Sequence, residues 1–421
     1  MNTNRLLFYD NIRNDEIVQI ASKILCEAES AAEGGEVSRE AEAAYYELQR
    51  RLLAAVPYGE AKGSFWENYI CRLTAESENR FSLMSERGET DELILSLAAG
   101  DAAELCRLME IDWSAAESLF SPDRPCVCSL CPPLREDSRA RQILDILKAG
   151  EPAEKTAEAL RDYYAGNYCG LLGKYRAFLW NGSLCGVKHQ DPITFDDLIG
   201  YDQQQRQLIR NTETFVKGGR ANNVLLYGDK GTGKSSSVKA LLNRFGDEGL
   251  RMINVPKSRI FDIGTIMEAV AGRGCRFIIF IDDLSFEATE IEYKHFKSVL
   301  EGGVEVQPEN VLLYVTSNRR NLVKETWKDR NGDEGEVHVN DGIHERQSLA
   351  DRFGLKITFT APDRELYSEI VKSIAEKEGL QVDPELLLAE ANKWDMRQTS
   401  RSGRSARQFV THMAGMQHQE E

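Results

Sequence analysis

No stretch of the 421 residues approaches twenty uninterrupted apolar residues, about the length a helix needs to cross a bilayer, so no membrane span is expected. The opening Met1-Asn2-Thr3-Asn4-Arg5 leads into no signal-peptide core. Nine cysteines without an extracellular targeting signal point to a reducing, cytoplasmic setting. An excess of positive charge is also missing. The formal net charge is -16, divided as -10 over residues 1–190 and -6 over residues 191–421. A broad attraction to nucleic acid is therefore not written into the composition, although a local basic patch stays open. No helix-turn-helix or zinc finger is recognisable. The thiols crowd into Cys126-Val127-Cys128-Ser129-Leu130-Cys131, but no second Cys-x-x-Cys pair completes a metal pattern. A tetrahedral zinc or iron site would need a fourth ligand from Cys106, Cys169 or Cys185. The other reading is a buried cysteine turn without metal.

What remains is ordinary for a soluble chain, with 42% hydrophobic and 29% charged residues and length for two or three domains. Residues 1–190 read as a helical accessory domain for protein contacts. Ile12, Ile17, Ile20, Ala21 and Ile24 follow a period near 3.6, as do Leu48, Leu52, Leu53 and Val56. Alanine is abundant, β-branched runs are missing, and further helices are expected around 63–75, 90–99, 102–109 and 139–149. The aromatic run Tyr163, Tyr164, Tyr168, Tyr175, Phe178 and Trp180 can stack bases or, more simply, pack into a core. Pro192 begins a new organisation, which places a boundary near 190.

The most informative segment is Gly228-Asp229-Lys230-Gly231-Thr232-Gly233-Lys234-Ser235, which fits the phosphate-loop pattern. Its setting supports it: the apolar run 223–227 reads as a buried strand, and Val238, Leu241, Leu242 and Phe245 after Ser236 have helical spacing. Glycines let consecutive N–H groups point into one concavity at a helix N-terminus. Lys234 can reach outer phosphates, and the Ser235 hydroxyl can ligate Mg2+. Upstream, Ile199 and Tyr201 are candidates to line an adenine pocket.

Strands are expected at 250–255, 277–281, 310–316 and 355–359, with helices at 261–270 and 290–300 between them. Such alternation predicts an α/β sandwich around a mainly parallel sheet. The run 277–281 ends in Asp282 and Asp283, at the strand edge where ligands bind in such sheets. Asp282 can hold the Mg2+ shell and Asp283 can polarise water; capping acids occupy the same place elsewhere. Asn318, after Thr316 and Ser317, can position that water or sense the γ-phosphate, or it can be a turn residue. Residues 329–348 read as a mobile surface loop. Leu366, Ile370 and Ile374 share a helical face in a C-terminal helical lid. Arg404 and Arg407, near the chain's end, can reach the phosphates or form surface ion pairs.

Together these positions resemble the AAA+ ATPase superfamily over roughly residues 192–417. The likeness is to a bacterial ATP-binding family of unassigned role, related to replication-initiator and transposase-helper ATPases. Walker A falls on Gly228, Gly233, Lys234 and Ser235, within a binding segment that includes Asp229, Lys230, Gly231, Thr232 and Ser236. Walker B falls on Asp282 and Asp283, where many members have Glu in the second place. Sensor 1 falls on Asn318. Leu349-Ala350-Asp351-Arg352-Phe353 resembles the arginine-finger region, with Arg352 supplied to a neighbouring subunit. Arg407, and after it Arg404, matches sensor 2. The resemblance implies an α/β P-loop AAA+ sandwich over 191–360 and a helical lid over 361–421. It implies ATP and Mg2+ as cofactors, ATP hydrolysis and self-association through the ATP site. Three functions follow: remodelling or loading of a protein client, a nucleotide-gated scaffold with little turnover, or a DNA-associated ATPase, which the net charge does not favour.

Overall fold

The computed structural model describes all residues except 1–2, 33–37, 60–61, 122, 134–138, 287–290, 302–305, 320–321, 323–348, 397–400 and 421. The loop read at 329–348 lies outside the described residues. Two compact units result, Met1–Lys174 and Tyr175–Glu421.

The first unit is helical among its described residues. The helices Glu92–Met109 and Ala153–Asn167 pack along each other, as do Glu16–Ala32 and Arg39–Ala55. Trp66, Tyr9, Tyr45 and Tyr164 fill the interior. Two of their polar tips find main-chain partners: the Trp66 indole N–H donates to Leu108 O at 2.8 Å, and the Tyr164 hydroxyl donates to Thr74 O at 2.7 Å. Asp101, fully buried, accepts the backbone N–H groups of Leu7 and Phe8 and fastens the N-terminal segment. The expected helices at 90–99 and 102–109 are one helix, Glu92–Met109: its buried stripe runs from Ile94 through Ala98, Ala102 and Leu105 to Leu108, and Gly100 is on the exposed side, where it forces no break. Ile12 is in a separate short helix, Asp10–Arg13, ahead of Glu16–Ala32. Tyr163 and Tyr164 are buried, so packing explains that part of the aromatic run.

The second unit is built on a seven-stranded sheet ordered β2-β1-β4-β5-β6-β3-β7. The strands are β1 (Ala177–Trp180), β2 (Leu184–Gly186), β3 (Val224–Gly228), β4 (Leu250–Asn254), β5 (Arg276–Ile281), β6 (Val311–Ser317) and β7 (Leu355–Phe359). All neighbours run parallel except the β1–β2 hairpin. The fully buried pattern of β6 and the near-continuous burial of β3 to β5 suit strands covered on both faces. Three helices, Arg364–Lys377, Pro384–Asp395 and Gly403–Glu420, close around Tyr367, Ile370, Val371, Leu387, Phe409 and Val410. Asp363 and Asp383 cap the first two through the N–H groups of Leu366 and Leu386. This is the α/β sandwich with helical lid that the AAA+ resemblance implies.

Residues 175–190, grouped with the helical half on sequence, fall in the second unit and carry β1 and β2. Phe178 and Trp180 are the buried residues of β1, and Phe178 pairs with Ile253 of β4. The observed division falls at 174/175 for that reason.

Candidate nucleotide site

Parallel pairing brings the C-terminal ends of β3, β5, β6 and β7 to one edge. Tyr227 stands opposite Ser317, Gly228 opposite Phe359, and Ile281 opposite Val315. The residues that follow each strand therefore meet around the loop between β3 and the helix Lys234–Phe245. Gly228 is at φ 131, and a Cβ there would lie 1.9 Å from Phe359 O. Gly231 is at φ 74, and its Cβ would lie 2.8 Å from Ser402. Only glycine permits both the loop's curvature and these approaches.

A cavity of about 500 Å3 opens over this edge, within the range of small-molecule sites. Of the residues expected to bind or act, Ile199, Tyr201, Lys230 to Ser236, Asp282, Asp283, Asn318, Arg404 and Arg407 line it. Gly228 and Asp229 lie directly behind it: Lys234 Nζ donates to Gly228 O at 2.9 Å and to Asp229 O at 2.5 Å. Arg352 is exposed and is not among the lining residues.

The polar centre is a connected set. Lys234, 6% exposed, also reaches Asn318 Oδ1 at 3.3 Å. Burial lowers its pKa, opposed by the negative charges of Asp229, Asp283 and Asp282. Ser235 Oγ donates to Asp282 Oδ1 at 2.5 Å. Asn318 Nδ2 donates to Asp283 Oδ1. Asp283 has φ 50, a left-handed backbone that Asp adopts far more readily than most residues. Thr316 joins the two acids, accepting the Asp283 N–H at 2.8 Å and donating to Asp282 Oδ1 at 2.6 Å.

The apolar side of the cavity comes from Ile193, Leu198 and Ile199 on one flank and from Ile370 and Ile374 of the lid on the other. Gln205 Nε2 donates to Leu198 O and Gly200 O, both at 2.8 Å, and so shapes that flank. Tyr201, at φ 60, donates its hydroxyl to Thr360 O at 2.7 Å and sets its ring 5.2 Å from that of Phe359. Burial raises its pKa to about 12, with added contributions from Asp229 and Asp363. Among the described residues, polar ties join this floor to the lid. Asp229 Oδ2 accepts the Ala361 N–H at 2.6 Å, Lys377 Nζ meets Asp197 Oδ1 at 2.8 Å, and the Arg404 N–H donates to Gly231 O at 3.4 Å. Lys377 and the Thr194 N–H and hydroxyl lower the Asp197 pKa to about 2.

Thr316, Gln205, Asp197 and Lys377 carry site contacts that the sequence does not announce. Thr316 stands one residue beyond the last β5–β6 pair, Ile281 with Val315, a place set by the pairing of two strands and not by any local sequence signal. The cysteine cluster is divided: Cys126 and Cys128 are buried, Cys131 is exposed. Among the described residues no group of three or more His, Cys, Asp or Glu is arranged to hold a metal.

The Ser235 hydroxyl and Asp282 carboxylate are hard oxygen donors, which suit Mg2+ rather than a thiophilic metal. Beside them are a buried ammonium group and an apolar slot in one cavity, a combination that fits a magnesium–nucleoside triphosphate.

A family model described as "Protein of unknown function (DUF815)" matches residues 173–417. No curated protein matches the chain. Among solved structures, a variant of Thermotoga maritima RuvB is 17% identical, with 52% of this chain and 63% of that chain covered and a TM-score of 0.38. The T. maritima RuvB Holliday junction branch migration motor is 16% identical, with 52% and 63% covered and a TM-score of 0.37. The chain thus spans less than two thirds of the length of these RuvB chains.

Proposed function

Because the chain belongs to the family described as "Protein of unknown function (DUF815)", its chemistry rests on its own residues, and we propose that it is a Mg-dependent ATPase that remodels or loads a protein partner. The observation that carries this reading is the convergence of Lys234, Ser235, Asp282, Asp283 and Asn318 in one cavity, linked by direct hydrogen bonds.

In this reading each residue has a task set by its chemistry. The amide groups of residues 229–235 and the Lys234 ammonium hold the phosphates. The Ser235 hydroxyl commits its hydrogen to Asp282, which leaves its oxygen lone pairs for a hard cation. Bound Mg2+ supplies neutralisation of phosphate charge. Asp283 takes a proton from the attacking water, and Asn318 holds that carboxylate in place. Arg404 and Arg407 bring positive charge from the lid, while Ile199, Tyr201, Ile370 and Ile374 enclose the base. Arg352, exposed and outside the cavity, acts on ATP held by a neighbouring subunit, so that turnover requires self-association.

The test is phosphate release with Mg2+ as a function of protein concentration. Activity per molecule is expected to rise with concentration and to be lost in Lys234→Ala and Arg352→Ala. Wild-type protein that binds no ATP sinks the proposal. One observation favours a second reading, a nucleotide-gated scaffold: the shorter Asp stands where a Glu is common, with its carboxylate already engaged by Asn318. Tight ATP binding without single-turnover phosphate release would select the scaffold.

A further inference from the structure

Thr316 has no role of its own in the segment that ends in Asn318, yet its hydroxyl sits between the two acids of the site. The residue lies near the end of a strand whose seven residues are all buried, and its own exposure is 1%. A hydroxyl has one hydrogen to give and lone pairs to accept with. Here the hydrogen goes to Asp282 Oδ1 at 2.6 Å, and a lone pair takes the Asp283 N–H at 2.8 Å.

Two geometric consequences follow. Among the described residues, the hydrogen bonds to the Asp282 carboxylate, from Thr316 and Ser235, both fall on Oδ1. They fix the rotation of that carboxylate and leave Oδ2 outside these bonds. The second consequence concerns the backbone. Asp283 is at φ 50, a conformation that persists where its surroundings hold it. Its N–H is anchored on Thr316 and its carboxylate on Asn318. The neighbouring main chain is zipped to β6 as well, with the Leu284 N–H on Thr316 O and the Ser317 hydroxyl on Leu284 O, both at 2.8 Å. Those contacts survive any change of the Thr316 side chain. Among the described residues, it is this hydroxyl that hydrogen-bonds to both acids.

We propose that Thr316 is a positioning residue of the ATP site, whose single hydroxyl sets both the rotation of the Asp282 carboxylate toward Mg2+ and the left-handed backbone that aims Asp283. The proposal rests on the ATPase reading above. Thr316 touches neither metal nor nucleotide in this role; it acts through Asp282 and Asp283. Outer partners of metal-binding carboxylates are worth about 10–100-fold in metal affinity or activity.

The experiment uses the full chain as wild type, Thr316→Ser, Thr316→Val and Thr316→Ala. Calorimetry gives ADP affinity with and without Mg2+, initial rates give the Mg2+ dependence of phosphate release, and thermal midpoints report folding. Thr316→Ser keeps the hydroxyl and is expected to follow wild type. Thr316→Val is expected to need roughly 10–100-fold more Mg2+ for half-maximal activity. It should also lose the same factor in the gain that Mg2+ brings to ADP affinity, with metal-free ADP affinity unchanged. If Val at this buried position prevents folding, the Ala and Ser pair makes the same comparison. Unchanged Mg2+ dependence in the variants that lack the hydroxyl, beside an active wild type, overturns the role of Thr316 alone. A Ser variant as impaired as the Val variant does so too. Wild-type protein that binds neither ADP nor ATP removes the ATPase reading and this proposal with it.

Discussion

Gly228→Ala is the sharpest test of how the phosphate loop is seated. Two separable penalties meet at this position. Its φ of 131 lies where only glycine is comfortable, and forcing another residue there costs about 1–3 kcal/mol. The added Cβ would also stand 1.9 Å from Phe359 O, a backbone atom that cannot swing aside like a side chain. Overpacking of that kind costs about 1–3 kcal/mol. Together they amount to roughly 2–6 kcal/mol, or about 5–20 °C in the melting of a unit this size. Gly379→Ala separates the two effects, because Gly379 is at φ 69 and an added Cβ would meet nothing within 4 Å. It should lose only about 1 kcal/mol, roughly 2–4 °C. Differential scanning calorimetry of the full chain, following the transition of the second unit, makes the comparison. Nucleotide affinity should fall in Gly228→Ala and hold in Gly379→Ala. If the two variants melt together, Gly228 is not pressed against β7 and the seating of the loop on that strand is wrong.

Asp283→Asn should retain ATP binding while phosphate release falls by about 10²–10⁴-fold, since a general base is lost but its volume is kept; rapid-quench kinetics beside equilibrium binding reads both. Asn318→Ala should act in the same direction, and loss of ATP affinity without any change in the catalytic step would refute its role. The Asp197–Lys377 tie gives a pH prediction. Asp197 is lowered from 3.8 to about 2 on folding, so its contribution is complete above a pH of about 4 and disappears as the pH falls through about 2. The lysine side chain is 44% exposed and the aspartate 34%, which limits the contribution to at most about 1 kcal/mol after solvent screening. The melting difference between wild type and Asp197→Asn should therefore be flat between about pH 5 and 8, at about 2–4 °C, and shrink in acid; a difference that grows in acid contradicts the assignment.

The site is legible where chemistry is encoded by adjacency. Asp282 and Asp283 follow an apolar run, Asn318 ends another, and the phosphate loop carries its own spacing, so five strands, and the candidate residues after three of them, can be read directly. The strand expected at 355–359 has those bounds in the structure, Leu355–Phe359. The hairpin of β1 and β2 escapes such reading because four residues and three residues are too short to display a period, and its aromatic residues lie in a stretch whose upstream half is helical. What places β1 is its pairing with β4, across some 75 residues of chain. The same reason hides Thr316, Gln205 and the Asp197–Lys377 tie. Each is defined by a partner on another element, and a polar residue at the end of a buried strand has no local mark of the contact it makes. The helical unit is legible as helices, and no motif in its sequence transfers a function.

The hairpin that the sequence conceals also sets how the sheet ends. A parallel sheet finishing at β4 would present a five-residue rim of unsatisfied N–H and C=O groups, a template for another chain's strand. Instead β1 covers that rim and turns back into β2, whose three residues leave little to extend. At the opposite end of the described sheet β7 alternates buried Ile357 and Phe359 with exposed Lys356 and Thr358, and a lysine on an outer strand opposes pairing with a second copy. Both rims of the described sheet thus carry features that disfavour edge-to-edge pairing.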